Sequence, residues 1–150
     1  MGSDIRGQVR VINVFLSINN NAEVLQLPVP PAEYNVPSPW NNERADGLHQ
    51  TLNLIGLKGL RTVEIKSFFP VRDYPFLQNR SMWGMAYVDT IERWRSMRLP
   101  VRLVIVDSGG AQSLNMAVTI DNFEWSVKQD GDIYYTLQMT EFPFISTARG

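Results

Sequence analysis

Between Arg10 and Ile18 the apolar residues Ile12, Val14, Leu16 and Ile18 occupy every second position, the period of a β-strand with one buried face. Val11 and Phe15 make the opposite face half apolar, where a solvated outer strand would be polar, so that face is expected to meet a partner. Asn19-Asn20-Asn21 reads as a turn, since asparagine tolerates the left-handed backbone region, and Ala22–Leu27 as the returning arm of a hairpin. From Pro28 to Gly47 five prolines and the polar run Asn41-Asn42-Glu43-Arg44-Ala45-Asp46-Gly47 interrupt every period. This predicts a long, extended loop carrying Tyr34 and Trp40, too poor in apolar residues to pack alone and so expected to be ordered against a neighbour. Strand character resumes over Thr51–Leu57 and Leu60–Phe69, with Gly56-Leu57-Lys58-Gly59 as a turn between them.

One helix is expected, over about residues 82–97. Trp83, Tyr87, Ile91 and Trp94 recur at helical spacing, Met82, Val88 and Met97 widen the stripe, and Asp89, Glu92, Arg93 and Arg95 lie off it. Ser81 is the expected N-cap and Pro100 closes the far end. Gly84 weakens the first turn, which implies close packing there or a frayed start. Asp89 with Arg93, and Glu92 with Arg95, have ion-pair spacing on a solvated face.

Val101–Val106 is apolar on both faces and reads as a central strand. After the Asp107-Ser108-Gly109-Gly110 turn, Leu114, Met116, Val118 and Ile120 alternate with polar or small residues. The last hairpin can be read to its register. A two-residue Asp130-Gly131 turn would scatter the apolar residues over both faces. A three-residue loop, Gln129-Asp130-Gly131, opposes Val127 to Ile133, Trp125 to Tyr135 and Phe123 to Leu137, with Gly131 at the left-handed position such loops favour. Many strands and one flanking helix predict a mainly β, α+β fold, a sandwich or barrel, in a single domain over residues 1–150. Trp83, Ile91, Trp94, Trp125, Tyr135 and Leu137 are its expected core anchors, and Val11, Phe15, Tyr34 and Trp40 its expected subunit contacts.

Composition narrows the function. Lys plus Arg is 14 against 15 for Asp plus Glu, so no net field draws in nucleic acid or an anionic membrane. With no cysteine and one histidine, thiolate chemistry is excluded and transition-metal ligands are scarce. His49 would have to serve any Ser-His-Asp catalysis, yet no nucleophile motif accompanies it. Asp130 and Asp132 flank a turn without the continuation of an EF-hand loop, and the glycines near Lys58 lack Walker spacing. No apolar run reaches the roughly 20 residues of a membrane span, and the first residues lack a signal-peptide core. No enzyme, cofactor or metal is expected. The aromatic-rich tail, Tyr134, Tyr135, Phe142 and Phe144, keeps open a carbohydrate-binding surface, although alternation buries about half of it.

The stretch from Leu52 to Phe144 resembles the N-terminal, tube-like domain of LysM-bearing tail and baseplate proteins of phages and of defective-prophage (PBSX-type) particles. The resemblance rests on Leu54-Ile55-Gly56, Ser67-Phe68-Phe69-Pro70, Tyr74-Pro75-Phe76, Ile91-Glu92-Arg93-Trp94 and Pro100-Val101-Arg102-Leu103-Val104-Ile105. It continues through Val118-Thr119-Ile120-Asp121-Asn122-Phe123, Gly131-Asp132-Ile133-Tyr134-Tyr135-Thr136-Leu137 and Glu141-Phe142, with Leu27-Pro28-Val29-Pro30-Pro31 as the Pro-containing lead-in segment. It implies a tail-tube-like fold and a structural subunit of a contractile particle. That subunit would be assembled in the host bacterial cytoplasm and join the tail tube to the baseplate hub and spike proteins within a ring of its own copies, sixfold to match a tube. Family members usually continue into a LysM module, which this chain lacks, so peptidoglycan binding through that module does not carry over. The alternative is a cell-wall or carbohydrate-binding tail module.

Overall fold

The computed structural model describes residues 11–46, 51–107, 109 and 112–143. Its strands are β1 (Ile12–Ile18), β2 (Glu23–Gln26), β3 (Trp40–Asp46), β4 (Thr51–Lys58), β5 (Thr62–Phe69), β6 (Val101–Asp107), β7 (Gln112–Val127) and β8 (Ile133–Glu141), with one helix, α1 (Met85–Ser96). Six strands form an antiparallel sheet in the order β2-β1-β6-β7-β8-β5, and β3 and β4 form a separate pair. The mainly β fold with one flanking helix is therefore present, with an open sheet ending at β2 and β5 instead of a closed barrel.

The first hairpin turns on Asn19, Asn20 and Asn21, all at positive φ (52, 53 and 66°), where asparagine is the least strained non-glycine residue. It places Val14, Leu16 and Ile18 in the core beside Leu103 and Ile105 of the central strand β6. The hairpin β7–β8 takes the three-residue loop: Lys128 donates to the Asp132 carbonyl (2.8 Å), Gly131 donates to that of Lys128 (2.9 Å), and Val127, Trp125 and Phe123 face Ile133, Tyr135 and Leu137. Gly131 has φ 97°, and a Cβ there would also sit 3.1 Å from Val71 Cγ2.

Strand β7 serves two neighbourhoods. Its first part pairs with β6 as far as Val118, and its second part pairs with β8 from Val118 to Val127. Between Ile120 and Asn122 the register slips by a bulge at Asp121, whose carboxylate accepts hydrogen bonds from the hydroxyls of Thr119 (2.8 Å) and Thr140. The extra residue moves the buried face from Leu114, Met116 and Val118 to Phe123, so both parts of the strand feed one core. Helix α1 covers that core with Tyr87, Val88, Ile91 and Trp94, all buried. Phe69 is stacked between Tyr87 (4.8 Å between centroids) and Tyr135 (4.1 Å), joining helix, β5 and β8.

Several sequence expectations are corrected. The helix begins at Met85, its N-cap is Gly84 at φ 54° in place of Ser81, and no side chain caps it. Trp83 therefore precedes the helix, leaves the stripe, and is 39% exposed instead of anchoring the core. Trp125 faces Tyr135 as expected but is 40% exposed, because β6 has already left β7 at Val118 and, among the described residues, no strand lies beyond that edge. Arg93 pairs not with Asp89 but with Glu23 of β2, through contacts of 3.0 and 2.6 Å, and Trp94 Nε1 adds a third at 3.2 Å. The Arg93 and Trp94 donors hold the Glu23 carboxyl down at a pKa of about 2 and tether β2 to the helix. Glu92 and Arg95 do pair, at 3.1 Å. The polar run assigned to a loop is strand β3 in its described part. It is held by pairing with β4 and its sequence carries no apolar period, so periodicity could not reveal it. Gly56 to Lys58, expected as a turn, end β4.

Two outcomes follow for stability. Trp94→Ala, at 1% exposure, should lower the unfolding free energy by about 3–5 kcal/mol, whereas Trp125→Ala should cost less than half as much; equal losses in denaturant titrations would refute this placement. Because Asp121 is the extra residue of the bulge, its deletion leaves Asn122 opposite Gln138 and Phe123 opposite Leu137, and the deletion variant should keep a cooperative thermal transition, whereas an alanine inserted between Asp121 and Asn122 turns Phe123 out of the core and should abolish it.

Candidate functional site: an unburied hairpin and an open strand edge

The β3–β4 hairpin is built on a close backbone approach. A Cβ on Gly56 would lie 1.5 Å from the Asn41 carbonyl oxygen, so only glycine fits opposite the register slip between Asn41 and Glu43. Gly56 N–H donates to Asn42 Oδ1 (2.9 Å), the Trp40 indole N–H donates to the Gly56 carbonyl (2.7 Å), and Gly59 N–H donates to the Pro39 carbonyl (2.9 Å) at the hairpin base. These contacts hold the hairpin together, while its large apolar side chains in the described part are not covered. Ile55 is 82% exposed, Leu57 81% and Trp40 52%. A two-stranded ribbon is marginal in water without a packed face, so these residues mark a surface suited to contact.

The second feature is the outer edge of β7. Beyond Val118 it has β8 on one side and, among the described residues, no strand on the other. The sheet's end strands are treated differently. β2 is covered by Asn79 Nδ2 donating to the Gln26 carbonyl (2.7 Å), and β5 by the Asn35–Glu64 bridge. Trp125 and the 58% exposed Val127 flank the open edge.

A third feature is a surface group of four rings. Phe68 stacks on Tyr134 (5.0 Å) and meets Tyr74 edge-on (5.7 Å), while Tyr74 stacks on Phe76 (5.1 Å). Lys128 Nζ lies 5.5 Å above the Tyr134 ring.

The ionisable groups are engaged in holding the fold. Asp132, 2% exposed, accepts from Val71 N–H (3.0 Å), Arg72 Nη1 (3.2 Å) and the Tyr74 hydroxyl, fixing the 71–74 segment to the last hairpin loop. This is turn and latch chemistry, with Asp130 Oδ1 accepting from Asp132 N–H at 3.0 Å. Hydrogen bonding to Asp132 raises the Tyr74 pKa. Arg61 grips Glu141 through three contacts of 3.0–3.3 Å, which lowers the Glu141 carboxyl's pKa. Burial pushes Tyr87 up to about 12 and Tyr135 upward as well. Among the described residues the Tyr135 hydroxyl has no hydrogen-bond partner, and Ser67 beside it gives its own proton to the Val29 carbonyl (2.8 Å). Among the described residues no three His, Cys, Asp or Glu side chains gather as metal ligands, and no helix is long and apolar enough to cross a membrane.

Of the expected contact residues, Trp40 is exposed on the hairpin. Val11 and Phe15 are half-buried, Phe15 lying between Gln26 and Val104 on the neighbouring strands. Tyr34 turns into its own fold, packing on the core and donating to Ser113 Oγ at 2.8 Å. Ile91, Trp94, Tyr135 and Leu137 are buried. His49 and Phe144 lie outside the described residues. Ile55 and Leu57 were missed as surface residues. Their signal was the apolar set 52, 54, 55 and 57, which loads both faces of one strand. No model of a known protein family matches the chain, and no curated protein matches it significantly.

If the hairpin face belongs to an interface, Ile55→Ser with Leu57→Ser should leave the unfolding free energy of the isolated chain within about 0.5 kcal/mol of the parent. A loss comparable to a core substitution in a denaturant titration would show that the face is used internally.

Proposed function

We propose that this protein is a structural subunit of a phage or phage-tail-like contractile particle, one of a closed ring of identical copies joining the tail tube to the baseplate hub. The observation that carries the proposal is the β3–β4 hairpin, which exposes Ile55 and Leu57 almost fully while hydrogen bonds at Gly56 hold its two strands together. The sequence resemblance supplies the assembly in which such a hairpin has a place. A ring needs two different surfaces on each copy, and the hairpin and the open β7 edge are two such surfaces. The role is non-catalytic, because the buried and paired carboxylates, Asp132 and Glu141, are saturated by donors that fix chain segments. The partners are other copies in a sixfold ring, the tube, and the hub and spike proteins, and the location is the tail of the particle.

The ring group of Phe68, Tyr74, Phe76 and Tyr134 favours a second reading, a tail module that binds cell-wall carbohydrate by stacking sugars on rings. The two readings part in one assay. Retention of the purified chain on insoluble wall polysaccharide, lost in Tyr134→Ala, belongs to the second reading, while an adaptor shows no retention.

The decisive measurement is a reconstruction of tail particles from the producing cells. The protein is expected as a ring at the tube–baseplate junction, with residues 11–46 touching a neighbouring subunit. Its absence from purified particles, or a position in which that segment touches no other subunit, refutes the proposal.

A further inference from the structure

The geometry points to a specific docking between copies: β4 of one copy adds as a strand to the open edge of β7 in the next. The inference rests on the ring reading and names the two surfaces that meet in it. Its first support is the matching need of two backbones. Among the described residues β7 has β8 alone beside it from Thr119 to Val127, and β4 has β3 alone beside it, so each strand carries a row of N–H and C=O groups outside any strand pairing there. β4 has eight residues with one register slip between Leu54 and Leu57, and the β7 segment in unbroken register with β8 runs from Asn122 to Val127.

Side chains supply the second support. Trp125 and Val127 stand two apart on one face of β7, while on β4 the slip that sets Ile55 and Gly56 together opposite Asn42 breaks the alternation between Ile55 and Leu57; all four residues are large, apolar and exposed. Pairing the strands with Leu57 on the face of Trp125 and Val127 covers all three. The same register puts Lys58 on the opposite face, the one that Glu124 occupies on β7. Lys58 is the one charged residue among the described side chains of the hairpin, and the charged residues of the β7 edge segment are Asp121 and Glu124, both acidic. Hydrophobic match on one face and opposite charge on the other select the same pairing. Because a hairpin on one copy meets an edge on another, the contact is heterologous and propagates around a ring.

The absence of native cysteine makes the test direct. Paired strands bring Cα atoms within about 4.5–5.5 Å of each other, inside the span of a disulfide. Four double variants, combining Ile55→Cys or Leu57→Cys with Trp125→Cys or Val127→Cys, are oxidised as the concentrated full-length protein and in assembled particles. Leu57→Cys with Asn20→Cys is the control. At least one pair should give a ladder of disulfide-linked multimers that the control lacks. Lys58→Glu should weaken the ladder severalfold, and adding Glu124→Lys should restore it. Monomer alone, a disulfide within one chain, a ladder equal to the control, or bonds formed to a different particle protein each overturns the inference. Rings present in particles without cross-linking by these pairs overturn the docking and leave the adaptor role standing. A ladder from a protein absent from particles does the reverse.

Discussion

One strand has to satisfy two sets of neighbours, and the rest of the fold depends on how it does so. β7 is 16 residues long, and its early part lies against β6 while its later part lies against β8. A strand of that length with unbroken alternation would present Asn122 inward where the core needs Phe123. The bulge at Asp121 inserts the residue that corrects the phase, and Thr119 and Thr140 fix its carboxylate. Such a bulge also bends a strand and increases its twist, which suits a sheet that must wrap one core from two directions. The helix can then close that core, because Phe69 and Tyr135 come together beneath Tyr87.

The same arrangement creates the exposed edge. When β6 parts from β7 at Val118, the later half of β7 loses a neighbour, and Trp125 and Val127 lose the cover that Phe123 retains. The edge is therefore a consequence of how the core is wrapped. Elsewhere the chain guards its borders: loop residues bond to the β2 edge, an isolated bridge covers β5, and Asp132 pins the 71–74 segment over the last turn. Against those protected borders, an unguarded strand flanked by tryptophan and valine stands apart.

What could be read from the sequence follows from where each signal originates. The first hairpin, the central strand, the helix stripe and the register of the last hairpin were legible, because each places apolar residues on a face that the fold buries. Gly131 was legible because one turn geometry demands it. Failures occur where the deciding contact is distant in sequence. Trp83 and Trp125 fit their local patterns, but a backbone turn at Gly84 and the departure of β6 at Val118 leave them exposed. Glu23 draws Arg93 away from its helical neighbour Asp89 across 70 residues. β3 was hidden because its polar residues show no period, and its pairing with β4 supplies the order.

The apolar residues that this fold leaves outside are not scattered. The core is supplied from seven elements, and among the described residues one buried side-chain polar atom, the Tyr135 hydroxyl, lacks a partner, so internal packing does not call for Ile55 or Leu57. Their cost falls on the free chain, which must hold a ribbon in water with its apolar face uncovered. Sequences that fold well avoid such conflicts unless the residues serve another purpose. A hairpin that leaves Ile55 and Leu57 outside the core suits a second surface, and the wrapping of β7 leaves such a surface at Trp125 and Val127. The features that the isolated chain leaves unsatisfied are those that an assembly of identical chains can satisfy.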